Sequence, residues 1–223
     1  MTLDAKVAEA RTLIEEVLRK NDHPACVTCS FQAECMAIVD LVVSQQPKIP
    51  VLFLETGYHF PETYAYRDAM TEKLRLNLVN LSSKMTVPEQ ESKFGILYQS
   101  APDRCCGMRK VEPLFAGLDP YAVWFTALRR EQSPTRANLQ PIDHFKLPTG
   151  KQLLKVSPLA DWTNKDVWAY LKQRGIPVLP LYDQGYTSIG CAPCTSLPLD
   201  PENMRSGRWA GKKLECGIHI QSE

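Results

Sequence analysis

An α/β protein built on a parallel sheet is the fold class this sequence predicts. Two observations carry that expectation. Short apolar runs alternate with helix-patterned segments through the first eighty residues, which is how strands joined by covering helices read. Each run is also bounded by proline, glycine or polar turn residues. Residues 3–20 are expected to form an amphipathic helix with Val7, Leu13, Ile14, Val17 and Leu18 on its apolar side. "PACVTCSF" reads as a short buried strand and "AECMAIVDLVV" as the helix after it. "KIPVLFLET" is a second strand between Pro50 and Gly57. "PETYAYRDAMTEKL" is a helix opening on Pro61, a residue suited to a first turn. "RLNLVNLS" is a third strand. Further on, "YAVWFTAL" and "KQLLKVSPL" read as strands, and "TNKDVWAYLKQRG" as a helix capped by Thr163 and stopped by Gly175. From "IPVLPLYDQGYTSIGCAPCT" onward, proline and glycine predict an irregular region wrapped on the domain. In sheets of this kind ligands bind beyond the carboxyl ends of the strands. "SFQAEC" and "ETGYHFPET" fall at that edge.

The chain has 223 residues, enough for one large domain with a substantial core. Its formal net charge of +1 gives no global basic field, so nucleic acid is not an expected partner. No apolar run is long enough to span a bilayer, and the amino terminus lacks the apolar core of a signal peptide. A cytoplasmic location is the default expectation. There are eight cysteines. In a reducing compartment, clustered cysteines more often bind metal or do chemistry than form structural disulfides.

Cys191 and Cys194 form a Cys-x-x-Cys pair, a spacing that suits a metal ligand set, a redox pair or two small buried residues. The tandem Cys105–Cys106 narrows the choice. Neighbours on a helix diverge by roughly 100°, which makes two adjacent ligands to one zinc awkward. A cubane cluster offers four separate corners, so the tandem plus the spaced pair make a Cys₄ set suited to [4Fe–4S]. Lys110, four residues after Cys106, shares its helical face if the helix continues and could offset the cluster's negative charge. Read alone, it is an ordinary surface lysine. The chain closes on "LECGIHIQSE", which places a thiol, Cys216, on a tail too short and polar to be packed away.

Together "CCGMRKVEPL", "WFTALRREQSPTR", "GCAPCT", "RSGRW" and "ECGIH" resemble the assimilatory adenylyl-sulfate reductases, cluster-containing relatives of the phosphoadenylyl-sulfate reductases. "SFQAEC", "LETGYHFPET" and "VSPLADWTNKDVWAYL" fit the same family in order, so the resemblance covers residues 26 to 219. It implies an adenine nucleotide α-hydrolase-like (PP-loop) fold and a single reductase domain over 1–223. Within it, 1–22 hold the first helix, 23–200 the core with a [4Fe–4S] cluster, and 201–223 a mobile tail that closes on substrate. The implied substrate is adenosine 5′-phosphosulfate. A thiolate attacks its sulfur, AMP leaves, and thioredoxin releases sulfite from the resulting S-sulfocysteine.

By the same resemblance Cys216 is the nucleophile, and Cys105, Cys106, Cys191 and Cys194 hold the cluster. Arg136, Arg205, Arg208 and His219 bind substrate, with Lys110 between cluster and substrate. Arginine forks suit phosphosulfate oxygens and the charge that grows on the leaving AMP. Arg205 and Arg208 would otherwise be solvated charges, and His219 an exposed histidine near a terminus. Ser30 is assigned a hydrogen bond to substrate. "SFQAEC" corresponds to the phosphate loop of related ATP pyrophosphatases but lacks their paired glycines and aspartate. Gln32 stands where glycine is expected, Cys35 where aspartate is, and "LETG" replaces "LDTG". Cys26, Cys29 and Cys35 are expected to pack in or beside the first strand.

Three alternatives differ in their chemistry. A 3′-phosphorylated substrate goes with reductases that generally lack the cluster cysteines. ATP-dependent sulfur transfer to RNA would want an intact pyrophosphatase loop and a basic appendage. A non-catalytic iron–sulfur sensor leaves "ECGIH" without a purpose. With no thioredoxin-like domain after residue 223, the reductant is expected in trans, and a homo-oligomer remains open.

Overall fold

The computed structural model describes residues 1–20, 23–200, 203–209 and 217–218. Cys216 and His219 lie outside the described residues. In chain order the elements are α1 (Leu3–Lys20), β1 (Ala25–Thr28), α2 (Ala33–Val43), β2 (Pro50–Glu55), α3 (Pro61–Leu74), β3 (Asn77–Ser82), α4 (Val87–Phe94), α5 (Leu97–Ser100) and α6 (Pro102–Cys106). A π-helical turn (Gly107–Val111) leads into α7 (Glu112–Leu118), followed by β4 (Val123–Phe125), β5 (Ile142–Lys146), β6 (Gln152–Val156) and α8 (Asn164–Arg174).

The six strands form one sheet in the order β3-β2-β1-β4-β6-β5. All neighbours run parallel except β5, which pairs antiparallel with β6. The sequence did not predict β5. Ile142, Asp143, His144 and Lys146 are exposed and Phe145 alone is buried, so this edge strand carries one apolar anchor and little periodic signal. A tight turn makes it antiparallel: the Leu147 N–H donates to the Lys151 carbonyl at 2.8 Å, with Gly150 at φ +87°.

Strand periodicity divides the core in two. Ala25 and Val27 of β1, Val51 and Phe53 of β2, and Val123 and Phe125 of β4 pack with α1, α2 and α8 on one face. Cys26, Leu52 and Trp124 point to the other face, with Leu114, Leu118 and Phe145. α2 forms where it does because Ala33–Val43 is nearly continuously apolar, with eight of its residues buried between the sheet and α1 and α8. α8 starts at a full capping box, in which Thr163 and Asp166 satisfy each other's backbone N–H groups. It ends at Gly175 in the left-handed region, which glycine enters without strain.

Along the sheet, β1 leads through β2 to β3 on one side, while β4 lies on the other. The chain therefore parts at β1/β4, the kind of switch point where doubly wound sheets open a crevice.

Candidate active site

A cavity of about 180 Å³ opens at that crevice. Its floor comes from the ends of β1 (Thr28–Ser30), β2 (Leu52–Leu54, then Thr56) and the segment after β4 (Ala127, Leu128).

The loop after β1 is held in an unusual form. Phe31 has φ +59°, a backbone conformation that a bulky residue rarely adopts. It is fully buried, edge-on to Phe53 at 5.6 Å and to Tyr66 at 6.4 Å, and this packing holds the strained turn. Gln32 then does what a glycine could not. Its Nε2 donates to Ser30 Oγ at 3.0 Å, and its Oε1 accepts the Ile189 N–H at 2.9 Å. The loop is thereby stitched to the segment leading into Cys191. Ser30 Oγ is also hydrogen-bonded to Cys35 Sγ at 3.2 Å. The α2 amino terminus opens here, and its field favours an anion.

In the next loop, Glu55 Oε1 accepts the Gly57 N–H at 2.7 Å and the Tyr64 hydroxyl proton at 2.6 Å. The longer acid thus folds back to hold the "LETG" turn. His59 sits against Phe53, with Nε2 at 2.8 Å from the Leu54 carbonyl. Burial drives its pKa down to about 4, so the ring is neutral near pH 7 and donates this bond.

Arg136 follows β4 in a short 3₁₀ turn and donates to Gln132 Oε1. Gln132 Nε2 in turn donates to Glu34 at 2.9 Å. Gln132 therefore aims Arg136 at the cavity while tying it to α2. Arg208 is buried because Thr195 bridges to it in antiparallel fashion and Ser196 donates its N–H to the Gly207 carbonyl at 2.8 Å. Its guanidinium lies directly on Gly190, where any side chain would collide with it.

The cysteines of α6 and of the Cys-x-x-Cys turn meet at one edge. Cys105, Cys106, Cys191 and Cys194 share a small cleft with Lys110, Arg109, Tyr58 and Trp209. Cys191 is bridged to His59, and Ala192 donates its N–H to the Tyr58 carbonyl at 2.6 Å, so the β2 loop carries this turn. Burial alone would push the Cys191 thiol up, but Lys110, Thr56 and Arg208 draw it below its ordinary value. Cys105 is pushed up to about 11 by burial and by the charges of the other three cysteines. Cys194 is raised by burial and by Cys191. Sulfurs gathered so closely that their charges oppose ionisation at Cys105 and Cys194, with cations that favour the thiolate of Cys191, form a set suited to binding positive charge.

Residues 24–197 match the family described as "Phosphoadenosine phosphosulfate reductase domain". The chain belongs to that family. It is 44% identical over 196 residues to an adenosine 5′-phosphosulfate reductase of Streptomyces coelicolor, covering 87% of this chain and 81% of that protein. It is 44% identical over 198 residues to one of Geobacillus kaustophilus, covering 86% and 82%. A phosphoadenosine 5′-phosphosulfate reductase of Gloeobacter violaceus is 40% identical over 212 residues, covering 93% and 87%. Among solved structures, the phosphate complex of phosphoadenylyl-sulfate reductase from Candida auris superposes with TM-score 0.69 at 24% identity, over 83% of this chain and 90% of that one. FMN adenylyltransferase of Candida glabrata does so with TM-score 0.67 at 15% identity, over 99% and 75%. At these identities the structures speak to fold alone, which is the adenine nucleotide α-hydrolase-like one.

Against this reductase-family background, the sequence-predicted residues sort cleanly. Ser30, Lys110, Arg136, Arg205 and Arg208 all line the one cavity. Ile218, described although its neighbour His219 is not, lines it too. One expectation needs correction. Lys110 does not continue an α-helix from Cys106. The Glu112 N–H reaches back five residues to the Gly107 carbonyl, so the turn is wider than the expected i,i+4 geometry. Lys110 instead lines the cysteine cleft and acts on Cys191 and Cys194 by its charge. Cys35 packs beside the first strand, with Ser30 on its sulfur. It is half-buried and lines the cavity. Sequence reasoning missed Gln132, His59 and Gln90 as supports. The first two lie in motifs already singled out, whereas the segment around Gln90 carried no such signal.

Proposed function

We propose that this chain reduces adenosine 5′-phosphosulfate to sulfite and AMP, as a cytoplasmic step of sulfate assimilation, with a thioredoxin as reductant and residues 1–223 acting as one reductase domain. The observation that carries this reading is the cavity at the sheet's switch point, where three arginines, Lys110 and Ser30 face one space beside four cysteines. The close relatives named adenosine 5′-phosphosulfate reductase support it.

The cysteine set fits a [4Fe–4S] cluster held by Cys105, Cys106, Cys191 and Cys194. Among the described residues, no three Cys, His, Asp or Glu side chains converge as a single ion requires. A cubane asks for something else, one thiolate at each of four separated irons. Gln90 supports the fit. Its buried Nε2 has no partner at hydrogen-bonding distance, yet the amide stands where it favours the Cys105 thiolate. It is a donor waiting for a sulfur acceptor. When bound, the cluster supplies a compact charged centre next to the substrate site.

The chain's own residues do the rest. Arg136, Arg205, Arg208 and His219 hold the phosphosulfate and the phosphate that departs with AMP. Lys110 bridges the cysteine set and substrate by charge. The Cys216 thiolate attacks the sulfur, the S–O bond to AMP breaks, and an S-sulfocysteine remains. The dithiol reductant attacks the Cys216 sulfur, sulfite leaves, and the mixed disulfide resolves to free Cys216.

Anaerobic enzyme mixed with adenosine 5′-phosphosulfate and no reductant should release one AMP per site and stop. The sulfonate should be on the peptide spanning 214–223, and Cys216→Ser should form none. Continued turnover by Cys216→Ser would overturn the mechanism. The Gloeobacter relative's name favours a second reading, the 3′-phosphorylated substrate. A higher kcat/KM for that compound would establish it instead.

A further inference from the structure

The cysteines of the first strand do not behave alike. Cys26 and Cys29 are three residues apart on extended chain, so their side chains point to opposite faces of the sheet. Cys26 is sealed in the second core cluster, while Cys29 belongs to the first. The Cys-x-x-Cys spacing of Cys26 and Cys29 is thus a coincidence of numbering. The partner of Cys29 is Cys35. The left-handed turn at Phe31 folds the chain back on itself: the Phe31 N–H donates to Cys29 Sγ at 3.2 Å while Ser30 Oγ is hydrogen-bonded to Cys35 Sγ, so both thiols sit on one turn and act on each other's ionisation. Both line the substrate cavity. Ser30, which stands between them in sequence, also holds the Cys35 sulfur.

We propose that Cys29 and Cys35 form a second thiol site, a dithiol that reacts with small-molecule disulfides to close an internal disulfide across the nucleotide-facing loop. The division of labour follows from their settings. Cys35 is the half-buried member, held at Ser30 where an incoming disulfide can reach it, and its interaction with Cys29 draws it below the ordinary thiol range, which makes it the attacking sulfur. Burial holds Cys29 well above that range, so it acts second. The Cys35 thiolate attacks one sulfur of R–S–S–R and expels a thiolate, which takes up a proton as R–SH. Cys29 then loses its proton and attacks the Cys35 sulfur of the mixed disulfide, and the second R–SH leaves. The protein dithiol is oxidised by two electrons, and the small disulfide is reduced to two thiols. Closing the bond draws the sulfurs to about 2.05 Å, which removes the Cys35 partner from Ser30 and re-forms the turn.

The thiol chemistry stands apart from the proposed substrate, whereas its effect on nucleotide rests on that reading. One experiment separates the two. Anaerobic, cluster-loaded protein is treated with hydroxyethyl disulfide, denatured, alkylated with N-ethylmaleimide and digested with trypsin. The peptide spanning 21–48 carries Cys26, Cys29 and Cys35. It should lose two hydrogens and carry a single maleimide, on Cys26. Cys29→Ala and Cys35→Ser should each give a peptide with no internal disulfide. Three maleimides on the treated wild type, a lasting mixed disulfide, or a bond involving Cys26 would overturn the proposal. AMP affinity, measured by calorimetry on the same samples, should fall about tenfold on oxidation, as for loss of a charge-assisted hydrogen bond, and return after dithiothreitol. Unchanged AMP affinity in oxidised protein would overturn the loop-closing consequence. Reduced protein that binds no AMP would overturn the substrate reading and leave the disulfide result intact.

Discussion

One wall of the cavity joins two cysteines six residues apart in sequence, and the small cleft beside it joins four drawn from two distant segments. The local pair is brought together by a single strained turn at Phe31. The quartet is assembled by tertiary structure: the β2 loop bridges to Cys191, and α6 with its π-helical turn delivers Cys105, Cys106 and Lys110. Their electrostatics differ as much as their construction. Lys110 and Arg208 stand beside the quartet and favour thiolates. The charged side chain acting on Cys29 and Cys35 from outside the pair is Glu34, which opposes ionisation of both. The same side chain is prepared for two chemistries by what surrounds it. Cations prepare one site for a shared multi-charged ligand, and the tight turn that gathers Cys29, Ser30 and Cys35 prepares the other for exchange between thiol and disulfide.

The comparison breaks most visibly at the quartet. Replacing Cys194 by Ser should abolish bound iron, about four per chain in anaerobically purified wild type, and turnover with it. Cys35→Ser should retain that iron. Iron analysis of both proteins is the check, and equal iron contents would erase the distinction between the two cysteine sites.

Lys110→Ala should act next most strongly. Losing one charge-assisted contact of roughly 1.5–3 kcal/mol predicts a fall in kcat/KM of about 10- to 100-fold. The fold should persist, because Lys110 is not part of the apolar core. Steady-state kinetics beside thermal unfolding would separate the two effects.

Gln32→Ala removes the stitch between the loop after β1 and the segment leading into Cys191, the bonds to Ser30 and Ile189. A stability loss of about 1–2 kcal/mol in denaturant unfolding is expected for two neutral hydrogen bonds. Faster amide exchange should be confined to the loop after β1 and to residues 188–190.

The smallest effect comes from a cation that serves no sulfur. Lys155 is buried over the rings of Trp124 and Phe145, at 5.3 and 5.2 Å. Burial lowers its pKa to about 8 from the ordinary 10.5. Between those values the unfolded chain holds the proton that the folded chain has lost, so stability should rise as pH climbs from about 8 towards 10.5. Lys155→Met should remove that slope and raise Tm at pH 7, as read by thermal melts across the range.

Much of this molecule is legible in the sequence where local signals agree. The limits of α2 and α3, the Thr163 cap and the Gly175 stop all follow from periodicity and from residues with fixed backbone preferences. The quartet is legible because tandem and spaced cysteines constrain what they can bind together. β5 is not, since one buried phenylalanine cannot signal a strand. Neither is the Cys29–Cys35 contact, which depends on a left-handed phenylalanine that no propensity favours. Gln32 and Cys35 stand out in sequence only as departures from an expected pattern. The structure gives each a definite partner.

The π-helical turn at Gly107–Val111 has a consequence for how this chain tolerates length changes. It adds a residue to a helix whose two ends have separate obligations. Ahead of it, Cys105 and Cys106 must face the cleft. Behind it, Leu114 and Leu118 must face the second core cluster. A straight α-helix turns roughly 100° per residue, so deleting Met108 would restore regular hydrogen bonding and swing one end out of phase with the other. The shortened helix would be the better helix. It would also force a choice between the core and the cysteine cleft.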